Sequence, residues 1–275
     1  MDHMDHMDHV DGSLNYLAEM SEKPVSYTYE PPPGVPARTS RTVKLTVPIH
    51  DGRAIGLNLS LDKQGFMLLP HLSAVTNFYD SDEVKRVYYP EMERLVREST
   101  GAARVLVFDH NVRNGSKEQR AATGVREPVR FVHNDYTFKS GPQRVIELMG
   151  EAEGQRLLKH RFVFLNVWRP IRGPVQEAPL AVCDAQSMLL KDFVATDLKY
   201  RDRTGEVYSV TYNPDHRWFY FPRMLPSEVL LLKCFDSDPR RTQFTAHSAF
   251  EDPTTPPGAP PRESIEARTI AFFTE

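Results

Sequence analysis

Apolar positions recur on one face at helical spacing after Ser81, through Val84, Val87, Tyr88, Met92, Leu95 and Val96. That period predicts an amphipathic helix capped by Ser81 and stopped by Gly101. Pro90 lies inside it, lacks a backbone donor, and should kink or split it. Thr42–Ile49 alternates as a strand does and closes on the Asp51-Gly52 turn. Arg104–Phe108 reads as another strand, followed by a polar, aperiodic stretch from Asn111 to Glu127 that reads as a loop beside the next segment. Short helices are predicted over Pro142–Met149 and Ala185–Phe193. From Arg161 onward apolar and aromatic strands dominate: Arg161–Trp168, Glu206–Tyr212, Arg217–Phe221, Glu228–Phe235, Gln243–His247 and Ser264–Phe273. Many short strands between Gly/Pro turns predict a mainly β fold with flanking helices, a barrel or jelly roll rather than a doubly wound sheet. Before them, Pro31, Pro32, Pro33 and Pro36 mark an extended segment. The expected organisation is a flexible N-terminal arm over 1–40 and a single β domain over 41–275.

Composition narrows the class. At 275 residues the chain is long enough to bury a substantial core. Lys+Arg total 34 and Asp+Glu 37, with no basic stripe, so a nucleic-acid partner is not expected. No apolar run approaches the roughly 20 residues of a membrane helix. The N-terminus has no apolar signal segment; instead Met1-Asp-His is repeated three times to His9, a tract read as a disordered tail able to bind metal loosely. Cys183 and Cys234 each sit in an apolar run and read as buried free thiols, which fits a cytoplasmic protein. A homodimer is compatible with these features.

The candidate chemistry lies in Phe131-Val-His133-Asn-Asp135-Tyr-Thr137. On a strand, residues i and i+2 share a face, so His133 and Asp135 can reach one ion while Asn134 points away. With one more distant imidazole they make a facial triad, a donor set that suits Fe(II) and leaves the opposite coordination face open. His110, His160, His216 and His247 compete for that third place. A strand-like stretch after His247 carries Arg262, Ser264, Glu266 and Arg268 on one face. Either arginine offers the planar fork that grips a carboxylate at two points, and either can instead serve a structural acid. Asn166 shares a face with Phe162, Phe164 and Trp168, and can donate to a bound acid or satisfy backbone groups. Trp168, Trp218 and Tyr220 suit an apolar pocket or the core. Neither a Gly-x-Ser-x-Gly elbow nor His-Glu-x-x-His occurs.

Several longer segments carry a resemblance: Gly65-Phe-Met-Leu-Leu-Pro-His71, Tyr88-Tyr-Pro-Glu91, Thr100-Gly-Ala-Ala-Arg-Val-Leu-Val-Phe-Asp-His110, Val132-His-Asn-Asp-Tyr-Thr137, Asn166-Val-Trp-Arg-Pro170, Pro179-Leu-Ala-Val-Cys-Asp184, Trp218-Phe-Tyr-Phe-Pro222 and Ser264-Ile-Glu-Ala-Arg268. With them the chain resembles the Fe(II)/2-oxoglutarate-dependent dioxygenase superfamily, within a hydroxylase/desaturase group of natural-product pathways. That group includes fungal meroterpenoid oxygenases and a protein associated with cephamycin methoxylation. The resemblance implies a double-stranded β-helix, iron at His133, Asp135 and His247, and 2-oxoglutarate as cosubstrate. Arg262-Glu-Ser264 is similar to an Arg-x-Ser pair of part of the superfamily, which favours Arg262 over Arg268 as the anchor of the acid. The expected activity is oxidation of an unactivated C–H of a small molecule by molecular oxygen. The alternative is a non-catalytic accessory subunit of the same fold that binds a partner enzyme.

Overall fold

The computed structural model describes residues 8–274. Its strands, in chain order, are β1 (His9–Leu17), β2 (Val25–Tyr27), β3 (Thr42–Asp51), β4 (Phe66–Pro70), β5 (Arg104–Asn114), β6 (His133–Asn134), β7 (Phe162–Pro170), β8 (Leu180–Cys183), β9 (Phe193–Lys199), β10 (Thr204–Val210), β11 (Trp218–Tyr220), β12 (Glu228–Asp236), β13 (His247–Ala249) and β14 (Glu263–Phe272). The helices are α1 (Ser81–Glu83), α2 (Tyr89–Thr100), α3 (Lys117–Thr123), α4 (Ser140–Met149) and α5 (Glu151–Leu157). Among the described residues one sheet runs β1-β3-β11-β8-β13-β6-β10-β9-β2 and the other β4-β12-β7-β14-β5.

The two sheets face each other as a jelly roll. Phe162, Phe164, Leu230, Leu232, Ile270 and Phe272 of the five-stranded sheet pack with Leu180, Val182, Phe219 and Phe244 from the other side. Strand β7 is buried along its whole length because it has a second covered face: Val163, Leu165 and Val167 meet Val84, Tyr88, Met92 and Val96. The helical period of those last four residues exists to fill that layer. Pro90 is absorbed by a π turn over Val84–Tyr88, in which the Tyr89 N–H bonds to the Val84 carbonyl; α2 then starts with the proline in its first turn and ends at Gly101 in the left-handed region (φ 71°). The cap is Asp80 rather than Ser81: its carboxylate accepts from the Asp82 and Glu83 amides.

Four further expectations change. The polar stretch after Phe108 is not all loop. Strand β5 runs on to Asn114, paired in register with β14, and α3 follows. Its polarity has a cause: Asp109, Asn111 and Arg113 face a cleft instead of the core. The helix expected over Ala185–Phe193 is two short 3-10 turns, Ala185–Ser187 and Leu190–Asp192, after which β9 begins at Phe193. The strand expected over Gln243–His247 begins only at His247. Finally, the stretch set apart as an arm contributes β1, which pairs with β3 over nine residues and buries Leu14 and Tyr16. Residues 1–7 of the Met-Asp-His repeat lie outside the described residues. Among the described residues, no helix is long and apolar enough to cross a membrane.

Candidate metal centre

Strands β6 and β13 meet at one point: His133 and His247 are cross-strand partners, with ring centroids 4.4 Å apart. One residue pair is enough because each imidazole is fixed from its own side. His133 Nδ1–H donates to the Phe131 carbonyl (2.8 Å) and His247 Nδ1–H donates to the Thr245 carbonyl (3.0 Å). A carbonyl can only accept, so Nδ1 carries the proton in both rings and Nε2 presents its lone pair. Asp135 follows two residues after His133, and its Oδ1 lies 3.5 Å from His133 Nε2. The three ligand atoms lie within 4.8 Å of one another; among the described residues, no other group of three His, Cys, Asp or Glu side chains is so disposed.

The surroundings hold these groups in metal-ready states. Burial opposes ionisation of Asp135, but Arg268 and the two imidazoles outweigh it and keep the carboxyl well below the ordinary range. Burial, reinforced by His133, lowers His247 to about 4, so its ring is neutral. Asn166, directed inward from β7, donates from Nδ2 to Asp135 Oδ2 (2.7 Å). The remaining carboxylate oxygen turns toward the imidazoles. Asn134, between His133 and Asp135 in sequence, points away from them as strand geometry requires, and it is fully buried. Its amide donates to the Tyr136 and Cys234 carbonyls and accepts from the Thr245 amide, which ties β6 to β12 and to the residues ahead of β13. Sequence reasoning missed this clamp. The signal was there: an amide forced inward must find partners.

Gly65 lies beneath the same segment at φ 88°, and a Cβ there would come within 2.0 Å of Thr245 Oγ1. Only glycine allows the backbone to approach the residue that orients His247.

The other histidines are elsewhere. His110 bonds to Tyr89 (2.9 Å), and His160 is exposed. His216 is a buried member of a chain in which Trp218 Nε1–H donates to the Tyr16 hydroxyl oxygen, the Tyr16 hydroxyl to His216 Nδ1, and His216 Nε2–H to Asp192. Trp168, Trp218 and Tyr220 are core residues.

The arginines separate in the same way. Register places Arg268 opposite Asn166 on one side and Asp109 on the other, at the level of the triad. Its guanidinium lies 3.8 Å from Asp135, 3.6 Å from Glu266 and 3.6 Å from Asp109, and its buried Nε has no hydrogen-bond partner. Arg262 lies just ahead of β14. It donates to the Ala178 carbonyl (2.6 Å), its amide donates to Glu177 (3.2 Å), and its side chain covers the Trp168 ring. Ser264 is fully buried and its hydroxyl is unpartnered. Of the two arginines only Arg268 lines the cleft of about 1410 Å³ onto which His133 and Asp135 open. The face parity noted in the sequence is present, but six residues of strand separate the two side chains.

A family profile described as "Oxidoreductase/YMDC permease-like domain" matches residues 14–272. The chain is 32% identical to the hydroxylase/desaturase efuI of Hormonema carpetanum, with 95% of this chain and 94% of that protein covered. It is 31% identical to the Fe(II)/2-oxoglutarate-dependent dioxygenase nvfI of Aspergillus novofumigatus, with 90% of each chain covered. The chain belongs to the Fe(II)/2-oxoglutarate-dependent dioxygenases. A solved structure of the iron and alpha-ketoglutarate-dependent endoperoxidase NvfI superposes on this dioxygenase with a TM-score of 0.85 at 27% identity, over 96% of this chain and 98% of that one. The jelly roll, the complete donor set and the relatives agree on an enzyme rather than an accessory subunit.

Proposed function

We propose that this dioxygenase oxidises an unactivated C–H of a small, natural-product-like molecule, with Fe(II) held by His133, Asp135 and His247 and 2-oxoglutarate anchored by Arg268. One observation carries the reading: two Nε2 lone pairs and a carboxylate converge within 4.8 Å at the wall of a cleft that also contains a half-buried arginine whose Nε makes no hydrogen bond. Imidazole and carboxylate donors fit a divalent first-row metal, and three protein ligands leave room for others. The Arg268 guanidinium, with hydrogen-bonding capacity left at Nε, fits a carboxylate.

When bound, iron and 2-oxoglutarate supply an oxidant from O₂, with 2-oxoglutarate decarboxylated to succinate and a hydrogen taken from carbon. The chain's own contribution is placement. Asn166 fixes which Asp135 oxygen faces the imidazoles. The two backbone carbonyls fix the imidazole tautomers. Arg268 keeps Asp135 ionised and offers its outer face to the cosubstrate. Buried Tyr136, stacked on Phe164 with ring centroids 4.2 Å apart, walls the site beneath. The preference for Arg262 based on its neighbour Ser264 gives way, because Arg262 is committed to Ala178 and Trp168 away from the cleft. Two buried free thiols, Cys183 and Cys234, support a cytoplasmic setting.

The test is anaerobic Fe(II) titration followed by 2-oxoglutarate, read by calorimetry and by the charge-transfer absorption of the chelated cosubstrate. One equivalent of each should bind, and slow conversion to succinate should follow on admission of oxygen. Absence of iron-dependent 2-oxoglutarate binding would end this reading.

A further inference from the structure

The cleft in front of the triad has an unusual charge lining. Eight arginines and no lysine border it, against five acids. Five of the arginines are paired with acids: Arg130 with Glu177 (2.6 Å), Arg144 and Arg203 with Glu147 (2.9 and 3.8 Å), Arg120 with Glu127 (3.8 Å), and Arg268 with the acids around the triad. Arg38 lies over the Phe131 ring; Arg113 and Arg126 have neither kind of partner. They are partners across an isolated parallel bridge, so their side chains leave the backbone toward the same side. Two like charges facing each other across strands repel. Among the described residues, neither has a carboxylate within ion-pair distance; the Arg113 guanidinium donates only to the Glu127 carbonyl (3.1 Å). Burial pushes Arg113 below its ordinary value; Glu266 and Asp135 oppose that, and Arg268 and Arg126 add to it. A half-buried and an exposed guanidinium side by side on the cleft wall, with no carboxylate in ion-pair contact, offer two charged donors to an anion.

That anion is not the distal carboxylate of 2-oxoglutarate on Arg268. Arg113 lies opposite Ser264, and Arg268 opposite Asp109. The two positions are four residues apart along β14, about 13 Å at the rise of a strand. The same cleft also carries apolar surface, Phe108, Val112, Val129 and Phe131, in addition to Tyr136.

We infer that the substrate of this dioxygenase is a small organic acid: Arg113 with Arg126 holds its carboxylate, and its apolar body lies along Phe108 and Phe131 toward His133. The inference rests on the dioxygenase reading for the identity of the site but has its own residues. A two-point charge-assisted contact places the reacting carbon at a fixed distance from the metal, which orientation-sensitive C–H chemistry requires.

The probe pair is 1-naphthoate and its neutral counterpart 1-naphthamide, titrated calorimetrically into the Fe(II)-loaded protein under anaerobic conditions with saturating 2-oxoglutarate. Naphthoate should bind roughly tenfold or more tightly than the amide, the size of a charge-assisted contact. Arg113→Gln should erase that preference, and Arg113→Lys should restore part of it. In both variants the 2-oxoglutarate constant should stay at the unmodified value. Equal binding of the two probes overturns the inference, as does a preference that survives Arg113→Gln. So does a tenfold loss of 2-oxoglutarate affinity in Arg113→Gln, since Arg113 would then be a cosubstrate anchor. If 2-oxoglutarate fails to bind the iron-loaded protein at all, the dioxygenase reading falls. The probe preference and its dependence on Arg113, measured in the same protein, still decide the anion site.

Discussion

At the scale of single residues, the His133/Asp135 pair was legible because the pleat of a strand has a period of two and needs only local geometry. The anchor was not. Arg262 and Arg268 have the same parity, and only the cross-strand register, with Arg268 beside Asn166, separates them. Asp135→Ala should abolish stoichiometric Fe(II) binding while the circular dichroism of the fold survives; unchanged iron affinity would refute the triad. Asn166→Ala removes the 2.7 Å contact to Asp135 without removing a ligand. Loss of such an outer contact commonly costs about 10–100-fold in metal affinity, and the same range is expected here. Arg268→Ala should raise the 2-oxoglutarate constant roughly ten- to a hundredfold, for a charge-assisted contact of about 1.5–3 kcal/mol. Arg262→Ala should leave that constant nearly unchanged and lower the melting temperature by several degrees, because it cuts the tie to Ala178 and uncovers Trp168. The reverse pattern would restore Arg262 as the anchor.

At the scale of elements, the amphipathic helix was readable because its apolar face has one job, covering β7 and β14. Its start was misassigned to Ser81, since Asp80 and Ser81 are both good caps and adjacent; the choice is made by backbone angles that composition does not encode. Asp80→Ala should therefore cost about 1 kcal/mol in denaturant unfolding and Ser81→Ala a few tenths at most. Equal losses would mean that the cap is shared. Strand β5 was cut short in the sequence reading for an informative reason. Past Phe108 its inward positions serve a cleft, so alternation of apolar and polar residues fails where function begins. Strand β9 was lost for another reason: its pattern is amphipathic in a thin edge region, where burial is incomplete along most of its length.

At the scale of the molecule, the jelly roll follows from many short strands with two covered faces on β7, but the place of the N-terminal segment did not. Prolines between Pro31 and Pro36 drew the boundary too late in the chain. The two alternating positions Leu14 and Tyr16 were too short a signal to set against them. Tyr16 is the pivot, because it joins β1 to the Trp218–Tyr16–His216–Asp192 chain and so to the far side of the sheet. That chain makes acid stability a whole-molecule property. Burial holds His216 below its ordinary value even though Asp192 and Asp215 work the other way. In the unfolded chain the same imidazole titrates near about 6.5. The folded state therefore binds fewer protons than the unfolded state as pH falls below that value. Stability is fully present above it and is lost on the way down through the depressed folded value. Each such histidine contributes a slope of up to about 1.4 kcal/mol per pH unit in that window. His50, His71 and His110 are lowered chiefly by burial too, and act in the same direction. The urea midpoint of the metal-free protein should fall between pH 7.5 and 5. His216→Gln should give a lower midpoint at pH 7.5 and a shallower fall below pH 6.5, because the variant has one fewer group to protonate. A midpoint that rises toward pH 5, or a variant whose pH slope matches the unmodified protein, would show that His216 is charged in the fold and that the hydrogen-bond chain runs in the opposite sense.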